Sequence, residues 1–449
     1  MMKKIVSIIL TVLVSVSVAP VVSFGATDPP NILAETAVVI DAKTGQVLYD
    51  KNMNEQREPA STTKVMTSLL ALENLDLDQT VTIDAETPYT GGSRIYLLEG
   101  EQVTVEQLMY AMLLESANDA AVALGKQIAG SIPAFADMMN KKAVELGAKN
   151  THFVNPNGLH EDGHLTTAYD LALIAREAMQ NEEFRKLVMT YRYVLPATNK
   201  QPERYFYNTN RLIYDEKTKE LVNGVMRPAK YDGVTGIKTG YTPEAGGCLV
   251  AGAKRGDTEL ISVVMKSTSE GRFADSIALL DYAFANFKSV KAVDKGTVLG
   301  EIPVKRGSAQ KVQVIASDDV YATLPIEASS AVVNTKIDLD KKIQAPVAKG
   351  QKVGTVDIYE GDQKVGTTDA VTAEEISQGG ILSVIGISDG TAKVIERAFA
   401  GVIILIILLF AAYVVLKRRQ VRRRRLRRQK RATRYQDENR YRYDDYWRP

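Results

Sequence analysis

Only one cysteine, Cys248, occurs in 449 residues, beside three histidines and one tryptophan. A lone thiol excludes an intrachain disulfide and any multi-thiolate metal site. A Ser-His-Asp triad would need His152, His160 or His164, and no Gly-x-Ser-x-Gly elbow accompanies them. His160 and His164 stand four apart, but Gly163 reads as loop and no third ligand follows at zinc-like spacing. No metal site is therefore expected, and no cofactor is implied. Net charge is also scarce, at +2. What is present is an ordinary globular composition, 45% hydrophobic and 24% charged, which excludes a mainly disordered or fibrous chain and leaves room for two or three domains.

The small net charge conceals an asymmetry. Residues 417–449 hold 15 Lys and Arg against 4 Asp and Glu, whereas residues 27–397 hold 39 against 50. So acidic a body does not suit nucleic acid, and the basic tail needs its own explanation. Residues 1–25 read as a secretory signal peptide, with Lys3 and Lys4, an apolar run from Ile5 to Val22, and small residues at Ser23 and Gly25. An uncleaved anchor is the alternative, because that run is long for a signal core. Residues 398–416 form a second apolar segment without a charge, about 28 Å long as a helix and close to the hydrocarbon thickness. Nine Lys and Arg fill the next twelve positions. The positive-inside rule then makes 398–416 a transmembrane helix, 417–449 a basic cytoplasmic tail, and the acidic body extracytoplasmic. The tail reads as a stop-transfer signal that meets anionic lipid. Its aromatics, Tyr435 to Trp447, lie beyond the main charge block, which disfavours nucleic acid.

The body divides near residue 289. Residues 37–41 and 46–49 flank Lys43-Thr44-Gly45 as a hairpin, and residues 60–75, 105–114, 118–128 and 167–180 carry helical apolar stripes. Strands return at 236–241, 248–253 and 260–265, and 274–287 closes the segment as a helix. Strands at both ends with helices between predict an α+β domain over 31–288, with an antiparallel sheet. Six short strand-like runs, 298–304, 311–316, 320–324, 332–339, 353–359 and 364–368, predict a small all-β domain over 289–385.

Chemistry concentrates in three short motifs. Ser61-Thr62-Thr63-Lys64 follows Pro59 at a helix start, which sets Ser61 and Lys64 one turn apart beside free N–H groups. A lysine acts as a base only when its pKa is lowered, by desolvation and a second cation. Ser116-Ala117-Asn118 lies between two helices, and Lys238-Thr239-Gly240 lies on a strand. Two decoys exist. Ser308-x-x-Lys311 enters a strand, where positions three apart face opposite ways, and Lys43-Thr44-Gly45 is a turn before the nucleophile.

The ordered set resembles the penicillin-recognising serine acyl-transferases. With Glu58-Pro59-Ala60-Ser61, Ser116-Ala117-Asn118-Asp119-Ala120-Ala121, Asn155-Pro156-Asn157-Gly158-Leu159 and the run from Asp232 to Thr242, it is most similar to the low-molecular-mass penicillin-binding proteins, the serine D-Ala-D-Ala carboxypeptidases. The resemblance covers roughly residues 34–288, with the all-β domain and the anchor fitting the family's architecture. It implies peptidoglycan stem peptides as substrates and β-lactam antibiotics as covalent inhibitors. It implies that Ser61 attacks the penultimate D-Ala carbonyl, Lys64 takes its proton, and Ser116 relays a proton to the leaving amine. Asn118 would bind the acyl-side amide, the Lys238-Thr239-Gly240 strand would hold the terminal carboxylate through Lys238 and Thr239, and the N–H groups of Ser61 and Tyr241 would form the oxyanion hole. Arg272 is either a second carboxylate anchor or a solvated surface arginine.

Ser-Ala-Asn in place of Ser-Asp-Asn is compatible with the carboxypeptidases. No Glu-x-x-Leu-Asn run stands between Asn118 and Lys238, where class A β-lactamases keep the deacylating glutamate. Inhibition by penicillin, rather than its destruction, is the expectation. A β-lactamase, a DD-endopeptidase or transpeptidase, and a non-catalytic wall-binding protein remain as alternatives, because motifs do not choose the acyl acceptor. Cys248 reads as a small buried hydrophobe, Asp119 as a helix cap, and Tyr191, Tyr193, Tyr205 and Tyr207 as either a groove lining or sheet packing.

Overall fold

The computed structural model describes residues 28–329, 332–380 and 388–444; the leader expected at 1–25 lies outside them. Two compact units emerge. The first comprises the described chain up to Ala292 with 321–334 and 358–366, and the second comprises 293–320, 335–357 and the chain from Thr367 onward.

The first unit is organised by a five-stranded antiparallel sheet. Its strands are β1 (Thr36–Asp41), β2 (Val47–Lys51), β3 (Val234–Thr242), β4 (Gly246–Arg255) and β5 (Thr258–Ser267), in the order β2-β1-β5-β4-β3. Strands from both ends of the unit's sequence meet at its centre, with Thr36 opposite Met265 and Val38 opposite Val263. Alternate residues serve two cores. Val38, Ile40, Val250, Ile261 and Val263 pack with α1 (Lys64–Asn74), α2 (Val105–Leu114), α3 (Asn118–Ala129) and α4 (Ala168–Ala178). Ala37, Val39, Leu249, Ala251 and Val264 pack on the other side with Phe273, Ile277 and Leu280 of α5 (Gly271–Asn286). Each fully buried large aliphatic contributes about 1.5–3 kcal/mol, so a register slip in a sheet covered on both faces is costly. The helix ends are chemically marked. Thr104 and Gln107 form a capping box on α2, Thr167 caps α4, and α3 stops at Gly130 with φ 76°.

The structure differs from the sequence pattern at several elements. The helix expected over 60–75 is split: Ala60–Thr63 is a 3-10 turn and α1 begins at Lys64. Ala60, at φ 49°, bends the entry in a way that periodicity does not reveal. A strand that the sequence pattern did not show, Phe287–Val293, pairs with Val320–Pro325.

Later in the chain a six-stranded sheet forms in the order 333–339, 352–360, 363–372, 311–316, 298–305, 343–344. A small core of Val304, Val312, Ala345, Val347 and Ile376 fills it. The decoy Lys311 begins strand Lys311–Ala316 and pairs with Glu301 at 3.0 Å. A helix, α6 (Asp389–Asp444), follows; its most apolar 18-residue window has mean hydropathy 3.1, long and apolar enough to cross a membrane.

Candidate active site

Ser61 occupies the 3-10 turn ahead of α1, and the turn is held from two sides. Gly158, at φ +82°, lies so close that a Cβ there would sit 1.8 Å from the Ala60 carbonyl oxygen. Gly240 of β3 also approaches the turn, where a Cβ would stand 3.0 Å from the Pro59 oxygen and 3.1 Å from the Ser61 nitrogen, a tight contact. At 158 only glycine permits the approach.

Lys64 is fully buried. Its Nζ lies 2.7 Å from Asn118 Oδ1, 2.6 Å from the Asn157 carbonyl and 3.0 Å from Ser61 Oγ. Burial pushes its pKa well below the ordinary lysine value, and the Lys238 charge adds to this against the opposing pull of Asp119. The shift is in the direction that makes the amine easier to deprotonate. Two of its hydrogens are directed at Asn118 and Asn157, which leaves Nζ within hydrogen-bond distance of Ser61 Oγ.

Ser116 bridges α2 and α3 with φ 58°, a strained conformation for a side-chain-bearing residue. Asn118 is held rigidly: Nδ2 donates to Gly91 O at 2.8 Å and its backbone N–H to Ser93 O at 2.7 Å. Asp119 is not the cap that its position suggested. The N-cap is Ala117, and the buried Asp119 carboxylate accepts from Ile95 N at 3.2 Å and Leu97 N at 3.1 Å, tying loop 91–97 to the second motif. Burial raises its pKa against the lowering effect of those hydrogen bonds.

The third motif lies on β3, the edge of the sheet. Lys238 is buried, its Nζ donates to Thr239 O at 3.1 Å, and burial with the nearby Arg272 charge brings its pKa to about 7, Glu115 opposing. Arg272 is not a solvated surface arginine: it is half-buried, and Nη1 donates to Gly240 O at 2.7 Å. Thr239 Oγ1 lies 2.7 Å from Thr209 Oγ1, and Tyr241 forms the rim at 54% exposure. Two basic side chains and a hydroxyl gathered at this strand are a donor set that suits a carboxylate. In the free enzyme, Lys238 is charged below about pH 7 and loses its proton above it. The KM for a peptide with a free C-terminal carboxylate is therefore expected to rise as pH passes 7, with kcat less affected; steady-state kinetics over pH 5.5–9 would read the split.

The histidines separate. His164 is buried, accepts Val154 N–H at Nδ1 and therefore donates from Nε2 to Thr63 Oγ1, 2.9 Å away. Burial, with His152 and Lys64 adding, lowers its pKa to about 4. The unfolded chain binds this proton below pH 6.5 and the folded chain refuses it until about 4, so stability falls with pH across that window, by about 3 kcal/mol in all. Denaturant unfolding at pH 7 and pH 4 should show this loss, diminished in His164→Gln. His160 is exposed instead, with Nδ1 3.0 Å from Glu58 Oε1; that carboxylate raises its pKa. Among the described residues, the donor atoms of Glu58, His160 and Glu244 lie within 4.8 Å of one another at the protein surface. Cys248 is fully buried, which raises its thiol pKa to about 11. Of the tyrosines, Tyr193 stacks on Tyr110 at 3.9 Å, whereas Tyr191, Tyr205 and Tyr207 are exposed.

Sequence reasoning missed the roles of Asn157, whose backbone carbonyl orients Lys64, and Asp119, which anchors a loop. A backbone acceptor leaves no mark in residue identity. The Asn-Pro-Asn-Gly run around Asn157 was the available signal.

Comparison with known proteins agrees with this geometry. Residues 24–269 match the family model for D-alanyl-D-alanine carboxypeptidase, and residues 287–378 match that for the penicillin-binding protein 5 C-terminal domain. The chain is 35% identical over 356 residues to the D-alanyl-D-alanine carboxypeptidase DacF of Bacillus subtilis, covering 78% of this chain and 87% of that one. It superposes on penicillin binding protein 5 of Haemophilus influenzae with TM-score 0.61 and 31% identity, over 78% of this chain and 99% of the other. A mutant of the Streptomyces K15 DD-transpeptidase aligns with TM-score 0.52 and 34% identity, over 57% of this chain and 99% of the other.

Proposed function

This chain belongs to the D-alanyl-D-alanine carboxypeptidase family of serine hydrolases, and we propose on that premise that it removes the terminal D-Ala from peptidoglycan stem peptides through an acyl-enzyme on Ser61. The observation that carries the reading is the buried Lys64, whose amine meets Ser61 Oγ while two asparagines satisfy its remaining hydrogens.

The peptide enters with its C-terminal carboxylate against Lys238, Thr239 and Arg272, which places the preceding carbonyl at Ser61. Lys64 takes the hydroxyl proton as Oγ bonds to that carbonyl carbon. The oxyanion is received by the N–H groups of Ser61 and Tyr241, where losing one donor typically costs about 10²–10³ in turnover. Asn118 holds the acyl-side amide. Collapse breaks the C–N bond, the proton passes through Ser116 to the departing amine, and D-Ala leaves. Water then attacks the ester, Lys64 accepts its proton, and Ser61 is regenerated. A penicillin carries the same carboxylate, but its leaving group stays tethered and no dedicated glutamate drives hydrolysis, so the acyl-enzyme persists.

Helix α6 supplies the membrane anchor in this reading. Residues 398–416 span the bilayer, the arginines from Lys417 onward lie in the cytoplasm, and the catalytic body faces the wall. The acyl-transferase domain is 31–288 and the all-β domain 289–385.

The test is free D-alanine released from a peptide ending in Lys-D-Ala-D-Ala by the detergent-solubilised chain, before and after penicillin. Release that penicillin blocks, with the adduct mapped to Ser61, is expected. Labelling of Ser61 without release would overturn hydrolysis and favour another acyl acceptor. Repeated turnover of a chromogenic cephalosporin would make the protein a β-lactamase.

A further inference from the structure

Segment 207–209 joins the second motif to the third. Tyr207 N–H donates to Glu115 Oε1 at 2.6 Å, and Thr209 N–H donates to Leu114 O at 3.2 Å, both acceptors lying immediately before Ser116. Between them, Asn208 Nδ2 donates to Val188 O at 3.1 Å and Thr190 O at 3.0 Å. The backbone carrying Thr209 is thus pinned from several sides, and its Oγ1 reaches Thr239 Oγ1 at 2.7 Å. No sequence motif marks this residue.

We propose that Thr209 is a positioning residue that donates its hydroxyl proton to Thr239 and so leaves the Thr239 proton free for the substrate carboxylate. This rests on the carboxypeptidase reading above. The chemistry is one of counting. A hydroxyl has one proton, and a carboxylate only accepts. If Thr239 donated to Thr209, it would present a lone pair to the substrate and repel it. When Thr209 donates, Thr239 accepts from one side and donates to the carboxylate on the other, and each bond polarises the next. Thr239 is 5% exposed, so its rotor has few other partners, whereas Thr209 stands at the exposed lip. Lys238 and Arg272 supply positive charge; the hydroxyl pair adds a further directed donor.

The test uses full-length protein in detergent, with Thr209→Val, which keeps the shape and removes the hydroxyl, and Thr209→Ser, which restores it. Three probes separate the roles: a peptide ending in D-Ala-D-Ala, a penicillin, and an N-acyl-D-alanyl thioester whose leaving group has no carboxylate. Thr209→Val is expected to lower kcat/KM on the peptide and the rate of penicillin acylation about tenfold, mostly through KM, with thioester turnover changed less than about twofold. Thr209→Ser should recover most of the loss. An equal fall on the thioester would make Thr209 merely structural, and no fall on either carboxylate probe would remove it from the pocket; either result overturns the inference. Should wild-type protein release no D-alanine, the hydrolase reading falls separately, and the ratio of penicillin to thioester acylation still decides the role of Thr209.

Discussion

Ser61→Ala is expected to abolish both D-alanine release and covalent penicillin labelling, a loss of at least about 10⁴-fold, while the protein stays folded. The substitution removes one atom from a partly exposed side chain, and Lys64 keeps Asn118 and Asn157 as partners. Its cost in stability should fall within about 0.5 kcal/mol. The contrast between large chemical loss and small structural change is the diagnostic one. Intact-mass spectrometry after penicillin, with a thermal melt on the same sample, measures both. Persistent labelling of the variant would move the nucleophile elsewhere. Unchanged D-alanine release would show that no covalent step on Ser61 is used. Lys64→Met is the companion: it keeps the volume and loses the base, and penicillin acylation should fall to a comparable level. It also leaves the acceptors of Asn118 and Asn157 without their buried donor, costing about 1–3 kcal/mol for each group left unpaired.

The second large effect involves a residue with no side chain. Gly158→Ala places a methyl group 1.8 Å from the Ala60 carbonyl oxygen and 2.8 Å from Thr63 Oγ1, at a φ of +82° that alanine disfavours. Backbone must move, and the nearest backbone is the turn carrying Ser61. Adopting the left-handed conformation costs about 1–2 kcal/mol before any clash. Displacement of the nucleophile by about 1 Å typically costs about 10² in rate. Gly158→Ala should therefore lower the melting temperature and reduce penicillin acylation at least about 100-fold, although residue 158 contributes no reacting group. Gly130→Ala, at φ +76° with nothing near its Cβ, is the control: it carries the same backbone penalty without the clash and should acylate normally. If both variants acylated alike, the packing of residue 158 on Ala60 would not be what positions Ser61.

The three motifs were legible because each couples a residue type to a spacing. Ser61 and Lys64 meet because they are three apart at a helix start, and the apolar stripes of α1 to α4 announced the helices that position them. The antiparallel α+β sheet was legible from strands at both ends of a helical stretch. Less visible was the 3-10 turn at 60–63, which begins at a backbone angle of Ala60 that periodicity does not mark and that Gly158 packs against. Strand Phe287–Val293 was likewise unmarked, and it is seen only through its pairing with Val320–Pro325.

By itself, then, the sequence determined which groups could react: a serine, a lysine, a second serine, an asparagine and a cationic strand, in a chain with a long apolar segment near its C-terminal end. These are properties of residue type and short-range order. Tertiary structure decided what those groups become. Lys64 has a lowered pKa because it is buried and faces Lys238, 174 positions away in the chain. Arg272 reaches the third motif because α5 packs against the sheet, and Asp119 holds a loop because Ile95 and Leu97 turn their N–H groups toward it. The physical reason is common to all three: proton affinity and hydrogen-bond partnership depend on desolvation and on neighbours within a few ångströms, and folding chooses those neighbours from across the chain.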